Sequence, residues 1–104
     1  MIVDVRTYTL VPRKLPAYLQ KFETMALPVM QRHGFVLMGY YTSVIGPLNQ
    51  IVHLWRYESL ADLEQKRTKR DADPAWAAFL TATEGLVLMQ DDKIMAPAKF
   101  SPGA

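Results

Sequence analysis

From Ile2 to Leu10 the chain reads IVDVRTYTL, a run rich in β-branched residues that ends just before Pro12 and predicts a first strand. Side chains alternate along a strand, so Val3, Val5, Thr7 and Thr9 share one face, and Ile2, Asp4, Arg6, Tyr8 and Leu10 the other. The period then changes. Between Arg13 and Gly34 the apolar positions are Leu15, Tyr18, Leu19, Phe22, Ala26, Val29 and Met30, which is helical spacing. Pro28 lacks an amide donor and disfavours helix at Leu27, predicting a kink or break there, and Gly34 is the expected carboxy-terminal cap. FVLMGYYTSVIG and QIVHLWRY follow as two strands of a hairpin, reversed through Gly46-Pro47 and Asn49. Ser59, with Asp62 three residues on, opens a second helical segment, and Asp73-Pro74 restarts it as amino-cap and first helical residue. Trp76, Phe79, Leu80 and Thr83 form its expected buried stripe. After Gly85, LVLMQDDKIMAP predicts a last strand, with Asp91 and Asp92 placing it at a sheet edge.

Strand, helix, strand, strand, helix, strand is the ferredoxin-like βαββαβ order, an α+β fold with a four-stranded antiparallel sheet and helices on one face. Yet the central strands are apolar on both faces. The third has Val52 and Leu54 on one side and Ile51 and Trp55 on the other, and the second sets Phe35 and Leu37 against Val36, Met38 and Tyr40. A lone copy would expose a large apolar sheet, so an obligate homodimer is expected.

Half of the 104 residues are hydrophobic, enough for one core without metal or disulfide staples and for a single domain over residues 1–104. The absence of cysteine excludes thiolate nucleophiles, cysteine-held zinc or iron–sulfur centres and disulfides, and a cytoplasmic home is expected. A net charge of +2 is too slight to make nucleic acid or an anionic membrane the main partner. No apolar run approaches the ~20 residues of a membrane span, and Asp4 and Arg6 interrupt the start before a signal-peptide core can form.

Candidate chemistry concentrates in NQIVHLWRY, residues 49–57, where a histidine interrupts an apolar strand. His53 shares a face with Asn49, Ile51, Trp55 and Tyr57. It reads as a core histidine satisfied by its neighbours, as a general base or ligand-orienting donor in an apolar cleft, or as a metal ligand. The other histidine, His33, is a helix-end cation beside Gly34. Arg6 and Tyr8 share the inward face of the first strand, which neighbours the third in this fold, so both can approach His53. Arg6 then needs an acceptor, either an internal acid such as Asp4, a partner chain or an anionic ligand. The basic run QKRTKR, residues 65–70, has no interleaved aromatic platform and reads as a solvated helix face. Within it Arg67 and Arg70 follow Leu60 and Leu63 at helical offsets, so Arg67 can reach under the helix or keep its head in water. GFVLMGY lacks the residues of a phosphate loop, and Ser43, Ser59 and Ser101 have no nucleophile-elbow context. Met30 and Met38 are candidates to line an irregular pocket.

VRTYTLVPRKLPAYLQKF, RHGF, IGPLNQIVHLWRYESLADLEQKR, DPAWAAFL and KIMAPAKFSP, taken in order, resemble the NIPSNAP family along essentially the whole chain. The resemblance implies the dimeric α/β-barrel fold, in which two ferredoxin-like halves press their sheets together, and a family mostly without an assigned reaction. Related barrels include cofactor-independent monooxygenases of aromatic substrates and haem-degrading enzymes. The function expected is thus the holding of a small, largely apolar or aromatic ligand between sheet and helices, without a cofactor. Arg6, Tyr8, Asn49, His53, Trp55 and Arg67 are the candidate ligand-binding residues and His53 the candidate catalytic one. An oxygenase-like enzyme and a non-catalytic interaction module are the alternatives.

Overall fold

The computed structural model describes residues 1–103. Strand β1 (Ile2–Leu10) leads to helix α1 (Leu15–Lys21), a π-helical turn (Phe22–Ala26) and helix α2 (Leu27–Arg32). The hairpin β2 (Val36–Thr42) and β3 (Gln50–Tyr57) follows, then α3 (Leu60–Asp71), α4 (Pro74–Ala82) and β4 (Val87–Met95). The four strands form one antiparallel sheet in the order β2-β3-β1-β4, the ferredoxin-like α+β arrangement that the element order predicts. β4 lies at an edge, as its paired aspartates suggest.

Alternation decides what each strand contributes. Ile51, His53, Trp55 and Tyr57 are buried beneath the helices together with Asp4, Tyr8 and Leu10 of β1. Val52 and Leu54 point the other way, in register with Val5 and Thr7 on β1. A bulge between Leu37 and Gly39 gives β2 one extra residue, so Leu37 faces Trp55 and Tyr40 faces His53 although they are three positions apart. Met38, the extra residue, is half exposed and lines neither of the two cavities described below.

The expected break at Pro28 is a π-helical turn. The amide of Leu27 bonds to the carbonyl of Phe22, five residues back, and Pro28 has no N–H to continue a regular ladder. Phe22 and Ala26 are both buried by this turn. Gly34 closes α2 with φ +83°, a conformation glycine adopts without a Cβ clash. Ser59 Oγ accepts the Asp62 amide at 3.1 Å, and Asp62 reaches back to the Glu58 amide at 3.0 Å. Asp73 caps α4 by accepting the Ala75 amide at 2.9 Å, while its other oxygen lies 2.8 Å from both Arg32 Nη2 and His33 Nε2. One carboxylate therefore ties the end of α2 to the start of α4, and these bonds hold it well below the usual carboxylate range.

The expected stripe on α4 needs one correction. Phe79 and Thr83 are buried, but Leu80 is 53% exposed, because it sits beside the inward face rather than on it. The hairpin reversal is also longer than the tight turn expected, occupying residues 43–49, with Val44 and Ile45 open to solvent. The basic run is not simply a solvated face: Lys66 pairs with Asp62, Arg67 with Asp4 and Asp92, and Arg70 with Asp71.

Candidate functional site

A cavity of about 550 Å³ lies between the sheet and the helices. Its floor comes from β1, β3 and β4, through Arg6, Tyr8, His53, Trp55 and Gln90, and its walls from Tyr18, Phe22, Trp76 and Phe79 on the helical layer. The rings make edge-on and tilted contacts. Phe22 alone meets Tyr18, Tyr40, His53, Trp55 and Phe79 with centroids 4.9–6.3 Å apart. At the rim the Arg70 guanidinium lies 4.3 Å from the centre of the Trp76 ring and 5.4 Å from that of Phe35.

His53 is 2% exposed and Trp55 1%. The indole N–H of Trp55 donates to His53 Nδ1 at 2.7 Å, both side chains lying on the same face of β3. The imidazole stacks on Tyr40 at 4.6 Å and meets the Tyr8 ring edge-on at 4.8 Å. Its other nitrogen, Nε2, is buried with no partner among the described residues. Burial, helped by the positive charge of Arg6 directly across the strand pair, pushes the ring's pKa down to about 3, so His53 is neutral at physiological pH.

Arg6 of the cavity floor belongs to a charged cluster. Asp4, wholly buried, receives Arg6 Nη1 at 3.2 Å and Arg67 Nη2 at 3.4 Å through one oxygen. Arg67 also reaches Asp92 at 3.3 Å, and Arg6 Nε donates to the Tyr8 hydroxyl at 2.9 Å. Two acids and two guanidiniums thus share one end of the sheet. Burial and the hydrogen bond shared with Asp92 push the Asp4 carboxyl up to about 6, the arginines pulling the other way. Asp92 resists its own burial through Asp4, Arg6 and Arg67 and lies below the usual range.

Of the residues singled out from sequence, Arg6, Tyr8, His53 and Trp55 line the cavity together. Asn49 and Arg67 do not. Asn49 donates to the Leu10 carbonyl at 2.6 Å and clamps the β1–β3 junction, and Arg67 belongs to the charged cluster. Trp76, read as core, packs half-buried against the core and also lines the cavity, beneath Arg70. Tyr18 and Phe22 were visible only as a helical stripe, and Asp92 only as an edge aspartate, since nothing local to β4 marks its position opposite Arg6. A second hollow of about 330 Å³, lined by Leu19, Leu27, Leu37 and Tyr40, shares Phe22 with the first. The Tyr40 hydroxyl is buried without a partner among the described residues, and burial raises its pKa. No three His, Cys, Asp or Glu among the described residues are grouped to hold a metal, and no described helix is long and apolar enough to cross a membrane.

Residues 3–102 match the family model of NIPSNAP. The chain belongs to the NIPSNAP family. A Dictyostelium discoideum NipSnap homolog is 30% identical over 93% of this chain and 43% of its own length, and the Drosophila melanogaster NipSnap protein is 27% identical over 97% and 36%. The chain thus spans about two fifths of these curated relatives. An Agrobacterium tumefaciens NIPSNAP family protein with unknown function superposes with a TM-score of 0.92 at 41% identity, covering 98% of this chain and 92% of that one. A Nitrosomonas europaea protein named after the antibiotic-biosynthesis monooxygenases shares the fold, with a TM-score of 0.70 at 13% identity over 93% of this chain and 98% of its own. NIPSNAP membership and a ferredoxin-like α+β fold are therefore established, with no reaction attached to them.

Proposed function

We propose that this NIPSNAP chain works as a homodimer that binds a small, flat, largely apolar ligand in the cavity between its sheet and helices. The observation that carries this reading is the cavity of about 550 Å³ itself, walled by Tyr18, Phe22, Trp76 and Phe79 and floored by Arg6, Tyr8, His53, Trp55 and Gln90. The aromatic walls supply apolar burial and the few polar groups supply orientation, as in small-molecule sites generally. Dimerisation is supported by the face of the sheet turned away from the helices, where Val3, Val5, Val52 and Leu54 are only partly buried and Tyr41 is exposed.

The test is a titration of isotope-labelled protein with bicyclic aromatic fragments, followed by NMR. Binding should shift the signals of His53, Phe22 and Trp76 together and leave the 43–49 loop unmoved. Fragments that perturb only the exposed loop would count against the cavity.

An oxygenase that begins by deprotonating its substrate needs a base, and His53 is poorly suited to it. Its Nδ1 lone pair is engaged by Trp55, and burial depresses its proton affinity. Ligand binding is the reading favoured here over His53-driven catalysis.

A further inference from the structure

Leu63 is buried on the inward face of α3, and Arg70 follows it by seven residues, about two helical turns on. The last turn of α3 thus sends Arg70 to the cavity, of which it is a lining residue. Its guanidinium rests on two rings, Trp76 in the first turn of α4 and Phe35 just before β2. Only 14% of the side chain is exposed. Asp71 accepts the Nε hydrogen at 3.0 Å and helps fix the plane of the group, while Nη1 and Nη2 have no acceptor among the described residues. Neither is sealed off. The partnerless side-chain nitrogens and oxygens that are closed to solvent belong to Asp4, Tyr40 and His53, so both tips of the Arg70 fork keep solvent contact at the cavity rim.

We propose that Arg70 is the anion-binding residue of this cavity and that its ligand is a flat aromatic carboxylate, its rings among the aromatic walls and its carboxylate on Nη1 and Nη2 at the rim. The inference rests on the ligand-binding reading above and gives it a chemical class. The charged residues that line the cavity are Arg6, Arg70 and Asp71. Arg6 is paired with Asp4 and Asp92, whereas Arg70 has Asp71 alone, through a different nitrogen and with 59% of that side chain exposed. The free edge of the guanidinium offers two parallel N–H groups, which match the two oxygens of a carboxylate, and the rings beneath hold that edge in place before a ligand arrives.

Three probes of one shape isolate the charge: 2-naphthoate is an anion, 2-naphthamide is neutral and 2-naphthylmethylammonium is a cation. By NMR titration, 2-naphthoate should bind about tenfold more tightly than 2-naphthamide, in keeping with charge-assisted hydrogen bonds to a partly exposed guanidinium, and the cation most weakly. Added salt should weaken 2-naphthoate and leave 2-naphthamide unmoved. Arg70→Gln should bring 2-naphthoate down to the affinity of the amide, whose own binding it leaves unchanged. Asp71→Asn, which removes the competing charge and keeps an oxygen for Nε, should tighten 2-naphthoate. Should none of the three probes bind, the ligand-binding reading falls and this inference with it. Should 2-naphthoate and 2-naphthamide bind alike, or should Arg70→Gln weaken both equally, the cavity stands and the anion site at Arg70 is overturned. If Arg70→Gln fails to fold, the salt response of the unaltered protein and Asp71→Asn decide, and a 2-naphthoate affinity indifferent to both overturns the inference.

Discussion

Arg6 stands directly opposite His53 where β1 pairs with β3, placing a guanidinium and an imidazole on the same buried face. Each is accommodated differently: Arg6 keeps its charge through Asp4, Asp92 and Tyr8, and His53 gives its charge up. Two titrations of opposite sense follow. The folded-state value of His53 falls from 6.5 to about 3, so the unfolded chain takes up the proton first. Its contribution to stability is full above pH 6.5 and is lost as pH falls toward 3. Asp4 rises from 3.8 to about 6, so its contribution is full below 3.8 and is lost as pH rises through 6. Between pH 4 and 6 the two oppose each other. Urea unfolding across that range should show His53→Gln losing stability with rising pH relative to the parent, and Asp4→Asn gaining it, each slope changing by at most ~1.4 kcal/mol per pH unit. Parallel profiles for all three proteins would contradict this account.

Phe22 touches five aromatic rings across both cavities. Phe22→Ala should cost ~3–5 kcal/mol in denaturant unfolding, the range for a buried aromatic cut to alanine. It should also merge the two hollows, enlarging the space a ligand can occupy. A loss below ~1 kcal/mol would mean that the rings close over the gap.

Asp73 joins Arg32, His33 and the Ala75 amide. Its carboxyl is held down in the folded protein, so its stabilisation is present above pH 3.8 and lost as pH falls through the lower folded value. Asp73→Asn should lower the melting temperature at pH 7 and narrow the gap from the parent as the solution is acidified below pH 3.8. An equal deficit at pH 7 and at the acid end would remove the charge from the explanation. Ser59→Ala, which deletes a simple cap, should cost about 1 kcal/mol at either pH.

Leu54 occupies the centre of the open sheet face, between Val5 on β1 and Gly39 on β2. Sedimentation of the parent protein at micromolar concentration should give a dimer, and Leu54→Lys should shift it to monomer or prevent folding. A parent that sediments as a folded monomer would show that the face tolerates water alone.

The sequence was most informative where a period of two or a cap is local. The alternation in IVDVRTYTL and QIVHLWRY already places Arg6, Tyr8, His53 and Trp55 on inward faces, and Ser59, Asp73 and Gly34 mark helix ends through interactions only a few residues long. What it withheld depends on register between distant segments. Asp92 meets Arg6 only because β4 pairs with β1, and Asn49, on the His53 face by parity, lies beyond the end of β3 and bonds backbone instead. Trp76 looked like core because the spacing of a buried stripe and of a cavity wall is the same. Helical periodicity reports which side faces inward, not whether something already fills the space.

The π-helical turn at Phe22–Ala26 makes the first helix one residue longer than a regular ladder would need to reach the same point. Deleting a single residue there would let the ladder close regularly while the helix on either side kept its face, so Tyr18 would stay over the sheet. The change would be confined to the turn that carries Phe22, without any change to the strands that carry His53. A one-residue bulge therefore shapes one wall of the site independently of its polar chemistry.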